Sequence, residues 1–457
     1  MMKFTEVRRS SRRAWGIPRI RRELLVGLIL IASGQQALGQ TADSPASPSD
    51  VQVTIPESPP LPVIQASSEL ERMVAFAISQ HPELAGAAAD VSREVGLRIQ
   101  STRKPNPWVG YAGTEIGNEG RAGQQGVYVS QEWITAGKRG LADYIGGWRT
   151  RAAEERRELA RLRVSRRVGT QYWMMVAARR RVELLTELEA LLQDAVRVNQ
   201  SLEEAAEVDR GTVLQAQLEK GQVVASKRQA EADLRARSAA LAATLGVDVP
   251  FIAGIASDPW PEPRTLMSSS DSGSLDLMVG EPYLASPELT EAHALIEAAR
   301  CELRLAETQI ISNVDSYASV QQDTSTNDTI VSMQIGMALP VHDRKTGLVR
   351  AARAELTKLE SEFARRERDL AGRWAAATGE YQSAWELVRA IEEELLTTAQ
   401  QRYELARRAQ QQGEINYLEL LLAQRSFLAV REAALEARQQ AAIAAVQLEA
   451  LVVQDSP

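Results

Sequence analysis

Two hydrophobic periods share this chain. Leu184, Leu188, Leu191, Ala195, Val198 and Leu202 step by four and three residues, the spacing of a helix packed along a seam. No proline interrupts 138–246 or 341–456, so both stretches are predicted as very long helices. A helix from 138 to about 202 spans roughly 100 Å at 1.5 Å per residue. Helices of that length lie side by side; no compact core needs them. Elsewhere the period is two. Val331, Met333, Ile335, Met337 and Leu339 alternate with Ser332, Gln334, Gly336 and Ala338. Val127, Val129 and Trp133 share a face, with Ser130 among the residues opposite. These regions, 107–134 and 312–340, are predicted as hairpins that turn at 117–120 and 323–327, where Gly, Asn, Asp, Ser and Thr cluster.

The two periods are written twice. His81-Pro82-Glu83-Leu84 recurs as Ser286-Pro287-Glu288-Leu289, an offset of 205. Gly137-Lys138-Arg139-Gly140 recurs as Arg344-Lys345-Thr346-Gly347, and Val213-Leu214-Gln215-Ala216-Gln217 as Leu420-Leu421-Leu422-Ala423-Gln424, both at 207. The repeats are read as 68–246 and 285–457, joined by a Pro/Ser/Gly-rich connector at 247–284. Each begins with a helix (about 68–103, then 286–309), continues through its hairpin, and ends in the long helical stretch. The predicted class is mainly α with a membrane β-barrel: a tandem repeat giving a long α-helical barrel and four strands per chain.

Strands of about ten residues match the 9–11 of a tilted membrane barrel. Val127, Val129, Val331, Met333, Ile335, Met337 and Leu339 are the membrane-facing candidates. Trp108, Tyr111, Tyr128, Trp133 and Tyr317 are candidates for the membrane interface. Four strands cannot close a barrel, and open edges in lipid leave backbone groups unpaired. A membrane reading therefore requires the chain to oligomerise; three copies, a homotrimer, would give twelve strands. An amphipathic hairpin of a soluble protein fits the same alternation; the alternative architecture is a periplasmic coiled-coil adaptor or scaffold without a barrel, and the alternation from Val331 to Leu339 counts against it.

The amino-terminal segment is an address. Residues 1–39 place eight Lys and Arg against Glu6 and Glu23, followed by the apolar run Leu24–Ala32 and the small residues Ala37 and Gly39. That order is a secretory signal peptide. The run is too short for a membrane span of about 20 residues. Residues 40–67 carry six prolines and are predicted as an extended linker. Removing 1–39 takes Lys+Arg from 53 to 45 and Asp+Glu from 60 to 58, so the net charge moves from −7 to −13.

Composition narrows the chemistry. Aromatics are only 5% of 457 residues, thin for a large globular core. One cysteine, Cys301, excludes an internal disulfide, and His81, His293 and His342 are too scattered to suggest a metal site. His342-Asp343 offers two ligands, which do not make one. There is no nucleophile motif and no phosphate loop, so neither an enzyme nor a cofactor is expected. The acidic balance gives no reason to expect a nucleic-acid partner. Trp148, Trp173, Trp374 and Trp385 are expected to pack within the long helices, Cys301 to be buried, and Lys138 and Arg139 to start a helix.

The ordered motifs resemble the TolC family of outer-membrane efflux proteins over about 68–453. The similarity rests on the tandem repeat, His-Pro-Glu-Leu at 81–84, Pro105-Asn106-Pro107, Gln131-Glu132 before Gly137-Lys138-Arg139-Gly140, and Gly413 with Glu419 and Leu420-Leu421. The resemblance implies a trimeric exit duct set in outer-membrane lipid, working with a periplasmic adaptor (membrane fusion protein) and an inner-membrane transporter of RND type. The Pro-Asn-Pro and Gly-Lys-Arg motifs most resemble the heavy-metal, Czc-like branch. The two helix turns, near 203–212 and 410–419, would form the mouth. Glu207, Asp209, Glu414 and Glu419 are the gate candidates, because an acid repeated around a three-fold axis makes a ring of like charge. For Glu419 the resemblance itself implies a gate role. Ala206 stands where the family has a turn glycine, and Thr212 where an acid is common.

Overall fold

The computed structural model describes residues 68–115, 123–248, 258–262 and 282–451. The segments expected to be a leader and a linker, the expected first hairpin turn and most of the expected connector lie outside the described residues.

Helix α1 (Glu69–Gln80) starts where the Ser68 hydroxyl accepts from the Glu71 N–H at 3.2 Å. The Asp258 carboxylate, 188 residues on, accepts from the N–H groups of Glu69 and Leu70 at 3.0 and 2.9 Å. A carboxylate suits the positive end of a helix. The Asp258 N–H donates to Tyr172 Oη at 2.9 Å, and Trp260 stacks on Trp173 with centroids 5.5 Å apart. The described piece of the connector is thus fastened to the first repeat.

The helix expected over 68–103 is two helices. His81 has extended backbone, and its Nδ1 accepts from the Glu83 N–H at 3.2 Å, capping α2 (Pro82–Ser101). Pro82 sits in the first turn, where its missing N–H costs nothing. In the second repeat Ser286 does the same for α5 (Pro287–Thr308), accepting from the Glu288 N–H at 3.3 Å.

The four strands are β1 (Trp108–Thr114), β2 (Gln124–Trp133), β3 (Val314–Asp323) and β4 (Thr329–Met337). They form one antiparallel sheet in the order β1-β2-β3-β4. Each repeat supplies a hairpin, and β2 joins β3 across the repeats.

After each hairpin the chain enters its long helices. These are α3 (Lys138–Glu204) and α4 (Arg210–Leu245), then α6 (Thr346–Arg389), α7 (Thr397–Gln411) and α8 (Tyr417–Glu449). A seven-residue π-helical segment, Ala390–Leu396, separates α6 from α7, so the second repeat's long helix changes winding where α3 runs without a break. There Glu392 takes a bidentate ion pair from Arg438, with Nε–Oε1 at 2.6 Å, and the guanidinium lies 5.8 Å from the Trp385 ring centre.

The core is a set of thin seams between helices. One gathers Val164, Val168, Tyr172 and Met175 of α3 with Met73 and Ala77 of α1, Leu241 of α4 and Ala442 of α8. The other packs Trp374, Tyr381, Trp385 and Val388 of α6 on Ala434, Ala437 and Ala441 of α8. Trp173, Trp374 and Trp385 are buried as expected. Trp148 is half-buried, edge-on to His293. Cys301 is half-buried too, a correction to the expectation of full burial.

The seam read through Leu184 is only partly right. Leu184 and Leu188 are buried, but their companions are Leu185, Leu192 and Val196, while Leu191 and Val198 are 47% and 52% exposed. A single coiled-coil seam assumes one partner helix. Helix α3 meets α4 on one side and α8 on the other, and together they shift its buried stripe off the a/d line.

Candidate functional site

The features of interest lie at the two ends of the long helices. At one end, α3 turns into α4 and α7 into α8. Ala206 (φ +59°) and Gly413 (φ +75°) both adopt left-handed backbone. Around them the hydrogen bonds repeat. Glu207 N–H donates to Leu202 O and Glu414 N–H to Ala409 O, both at 2.9 Å. This bond from the third residue past a helix back into its last turn satisfies carbonyls that the helix leaves open. Each pair of equivalent residues is separated by 207, so the sequence offset extends to backbone conformation.

The gate candidates divide accordingly. Asp209 caps α4: its carboxylate accepts from the Thr212 N–H at 3.2 Å and from the Thr212 hydroxyl at 2.6 Å. The hydroxyl bond, then the backbone bond, hold its carboxyl below the usual carboxylate range. Asn416 is its counterpart, accepting from the Glu419 N–H at 2.9 Å. Glu207 and Glu414 are exposed and occupy equivalent places just past their left-handed residues. Glu419 is exposed on the first turn of α8, where it lines a groove with Arg402, Leu405 and Leu422.

Ala206 is the strained copy of Gly413, because a Cβ crowds the left-handed region. Ala206→Gly is expected to stabilise the first turn by about 0.5–1 kcal/mol. The measurement is amide exchange at Glu207, whose N–H depends on this turn; it should slow. Faster exchange at Glu207 would contradict the reading.

Sequence reasoning missed a charged pair near this end. Glu219 is buried on α4, in line with Val213 and Ala216. Gln215 donates to it at 2.9 Å, and Arg425 of α8 grips it with two nitrogens, Nε–Oε2 at 3.1 Å. The pair ties the helix hairpin of one repeat to that of the other. Its signal was present: three-residue steps from Val213 carry Glu219 onto the apolar face of α4.

At the opposite end, the sheet meets the helices through a polar joint. Lys138 Nζ donates to Ile311 O at 2.6 Å and to Asn313 Oδ1 at 2.8 Å. Asn313 in turn donates to Glu132 Oε1 at 2.6 Å, and Thr135 Oγ1 donates to Ser312 O at 2.8 Å. Arg139 places Nε and Nη2 on Thr102 O at 2.9 and 2.7 Å. Lys138 therefore links the repeats, and Arg139 ties α3 to the end of α2, beyond the helix-start role read for them. Of the His342-Asp343 pair, Asp343 accepts from the ammonium and then from the backbone N–H of Lys345, which hold its carboxyl below the usual range.

The sheet has two chemically distinct faces. The register places Val109, Val129, Ala318 and Met333 in one row across the strands, and Tyr111, Val127, Val320 and Val331 in another. Trp133, Val314 and Met337 share that face, as do Gln131, Ser316 and Ile335. The opposite face carries Ser130, Tyr317 and Gln334, then Tyr128, Ser319 and Ser332. Tyr128 and Tyr317 stack there at 5.2 Å. So Val127, Val129, Val331, Met333, Ile335 and Met337 do lie together on one face. Met333 is 79% exposed in the single chain. Leu339 lies beyond the end of β4 and is exposed. Among the described residues no helix is long and apolar enough to cross a membrane, which leaves strands untouched as a means of crossing.

This combination of one sheet and long helical hairpins defines a class. Residues 283–452, the second repeat, match the family model described as outer membrane efflux protein. The described chain has the fold of solved outer-membrane channels. A membrane protein from Pseudomonas aeruginosa superposes with a TM-score of 0.70 at 17% identity, covering 84% of this chain and 92% of that one. The outer membrane protein VceC of Vibrio cholerae gives 0.66 at 18% identity, over 84% and 95%. CusC, described as forming a transmembrane channel, gives 0.67 at 16% identity, over 84% and 92%. Among curated proteins, none matches the chain.

Proposed function

We propose that this chain is the exit duct of a tripartite efflux pump: a homotrimer whose twelve strands cross the outer membrane and whose helices form a passive tube into the periplasm. The observation that carries this reading is the sheet. It has an exposed apolar face, a polar face and two unpaired edge strands, β1 and β4. In lipid such edges must pair, and pairing between copies closes a barrel with the polar face inward. Helix α3 alone supplies about 100 Å of tube wall. The leader at 1–39 directs export, and the linker at 40–67 precedes the duct. Energy comes from an inner-membrane transporter of RND type, reached through a periplasmic adaptor. The Pro105-Asn106-Pro107 and Gly137-Lys138-Arg139 motifs favour heavy-metal cations as cargo.

Purified protein in mild detergent should have the mass of a trimer and open discrete conductance steps in a planar lipid bilayer. A monomer that leaves the bilayer sealed would contradict the reading. Cargo is read separately: deletion should sensitise cells to divalent metals more than to drugs. The reverse ranking would remove the metal assignment and leave the duct intact.

At the mouth, Glu419 stands free at the first turn of α8 and would repeat three times around the axis. Glu419→Ala is expected to raise single-channel conductance or weaken block by divalent cations. Conductance and block both equal to the parent's would remove Glu419 from the gate. Asp209, occupied with Thr212, is assigned to starting α4, while Glu207 and Glu414 remain free to contribute charge.

A further inference from the structure

The chain contains one copy of a joint that a trimer needs twice per subunit. Within the chain, β2 of the first repeat pairs with β3 of the second. Between copies, β4 of the second repeat must pair with β1 of the next first repeat. These are the same two kinds of strand, because β1 and β3 open the hairpins and β2 and β4 close them. The internal joint is therefore a template for the joint between subunits, and this inference rests on the proposed three-copy duct.

The correspondence can be fixed residue by residue. Asn106 and Asn313 each stand just ahead of their strand, which relates β1 to β3 by 207. The pair Trp108↔Ser130 of the first hairpin then corresponds to Asp315↔Gly336 of the second, so β2 relates to β4 by 206. Both shifts carry the apolar face onto the apolar face: Val109 maps to Ser316, beside Val314 and Ala318, and Val127 and Val129 map to Met333 and Ile335. Had either shift been off by one residue, apolar and polar faces would have exchanged.

From this we infer that subunits join through β4 and β1 in one register, with Ile335 opposite the partner's Tyr111, Met337 opposite the partner's Val109, and Gln334 opposite the partner's Ala112. Each pair is the image of an internal one: Val129↔Ala318, Gln131↔Ser316 and Tyr128↔Ser319. The side chains suit the assignment. Ile335, Met337, Tyr111 and Val109 are 69%, 50%, 64% and 74% exposed in the single chain. An aromatic beside a β-branched residue is a favourable cross-strand pair. On the polar face Gly336 meets the partner's Gly110 and long Gln334 meets small Ala112, so bulk alternates with space along the seam.

The test is disulfide formation between copies in a Cys301→Ser background. Ala112→Cys is combined in turn with Gln334→Cys, Ser332→Cys and Gly336→Cys. The Gln334→Cys combination should cross-link roughly tenfold faster into a trimer resistant to SDS, because directly opposed Cβ atoms lie about 4.5–5.5 Å apart and diagonal ones about 7–8 Å. Each reduced variant is first required to have trimer mass in mild detergent, so that folding is established independently. Fastest cross-linking from Ser332→Cys or Gly336→Cys within an intact trimer would overturn the register and leave the duct standing. A Cys301→Ser parent that is monomeric in mild detergent would overturn the duct and the register with it.

Discussion

Ile335→Arg should prevent the protein from assembling in the membrane, while Gln334→Arg, one residue away, should be tolerated. The two side chains lie on opposite faces of β4, because successive residues of a strand alternate. Ile335 shares its face with Val331, Met333 and Met337; Gln334 shares its row with Tyr317 and Ser130. In the proposed barrel the first face meets lipid and the second meets water. An arginine facing lipid costs about 2–4 kcal/mol near the bilayer midplane and far less near its edges. Three subunits place three such charges in one barrel. The measurement is the amount of trimer in the outer-membrane fraction. Equal amounts from the two variants would mean that the alternation has nothing to do with lipid.

The second large effect is expected at Gly126. A Cβ built there collides with the carbonyl oxygen of Val320 and lies 2.5 Å from the Cα of Gln321. Both atoms are backbone of β3, so no rotamer change relieves the contact. Gly126 sits on β2 opposite Gln321, within the joint between the repeats. Gly126→Ala must therefore move one strand away from the other at the only sheet contact linking the repeats among the described residues. It should reduce the yield of protease-resistant protein severely. Gly336→Ala on β4 is the matched comparison, since no atom of its own chain lies within 4 Å of the added methyl group and its inferred neighbour across the subunit seam is another glycine. Equal yields would show that the close approach at Gly126 is not required.

The architecture was legible because it depends on periodicity. Period two at 331–339 and the absence of proline over 138–246 and 341–456 directly gave the strands and the long helices, and the repeat gave their order. What the sequence concealed depends on tertiary partners. The break at His81 arises because an imidazole nitrogen caps the following helix, a role more often taken by Ser, Thr, Asp or Asn. The buried stripe of α3 lies off the expected seam because two helices share it. The π-helical segment at 390–396 has no periodic signal, since one wider turn leaves the apolar spacing nearly unchanged.

The functional residues show the same division. Six of the seven candidates for the lipid face share one face of the sheet, as alternation alone required, and Leu339 lies past the end of β4. The helix turns followed from the family resemblance, and the equivalence of Ala206 with Gly413 is visible in the 207-residue offset. The assignment of Asp209 could not be read from the chain, because an acid immediately before a helix can either cap it or stand free. Glu219 was overlooked because its partner, Arg425, is 206 residues away. Lys138 and Arg139 looked like an ordinary basic helix start, yet their partners are backbone carbonyls at 311 and 102, which carry no sequence signature.

Surface labelling of intact cells tests the duct most directly. In a Cys301→Ser background, Thr326→Cys lies in the exposed β3–β4 turn and Gln412→Cys at the exposed turn between α7 and α8, at the far end of the helices. A maleimide that cannot cross the outer membrane should label Thr326→Cys on intact cells, and Gln412→Cys only after that membrane is opened. A Thr326→Cys protein that stays unlabelled until the outer membrane is opened would place the sheet inside the periplasm and contradict the duct.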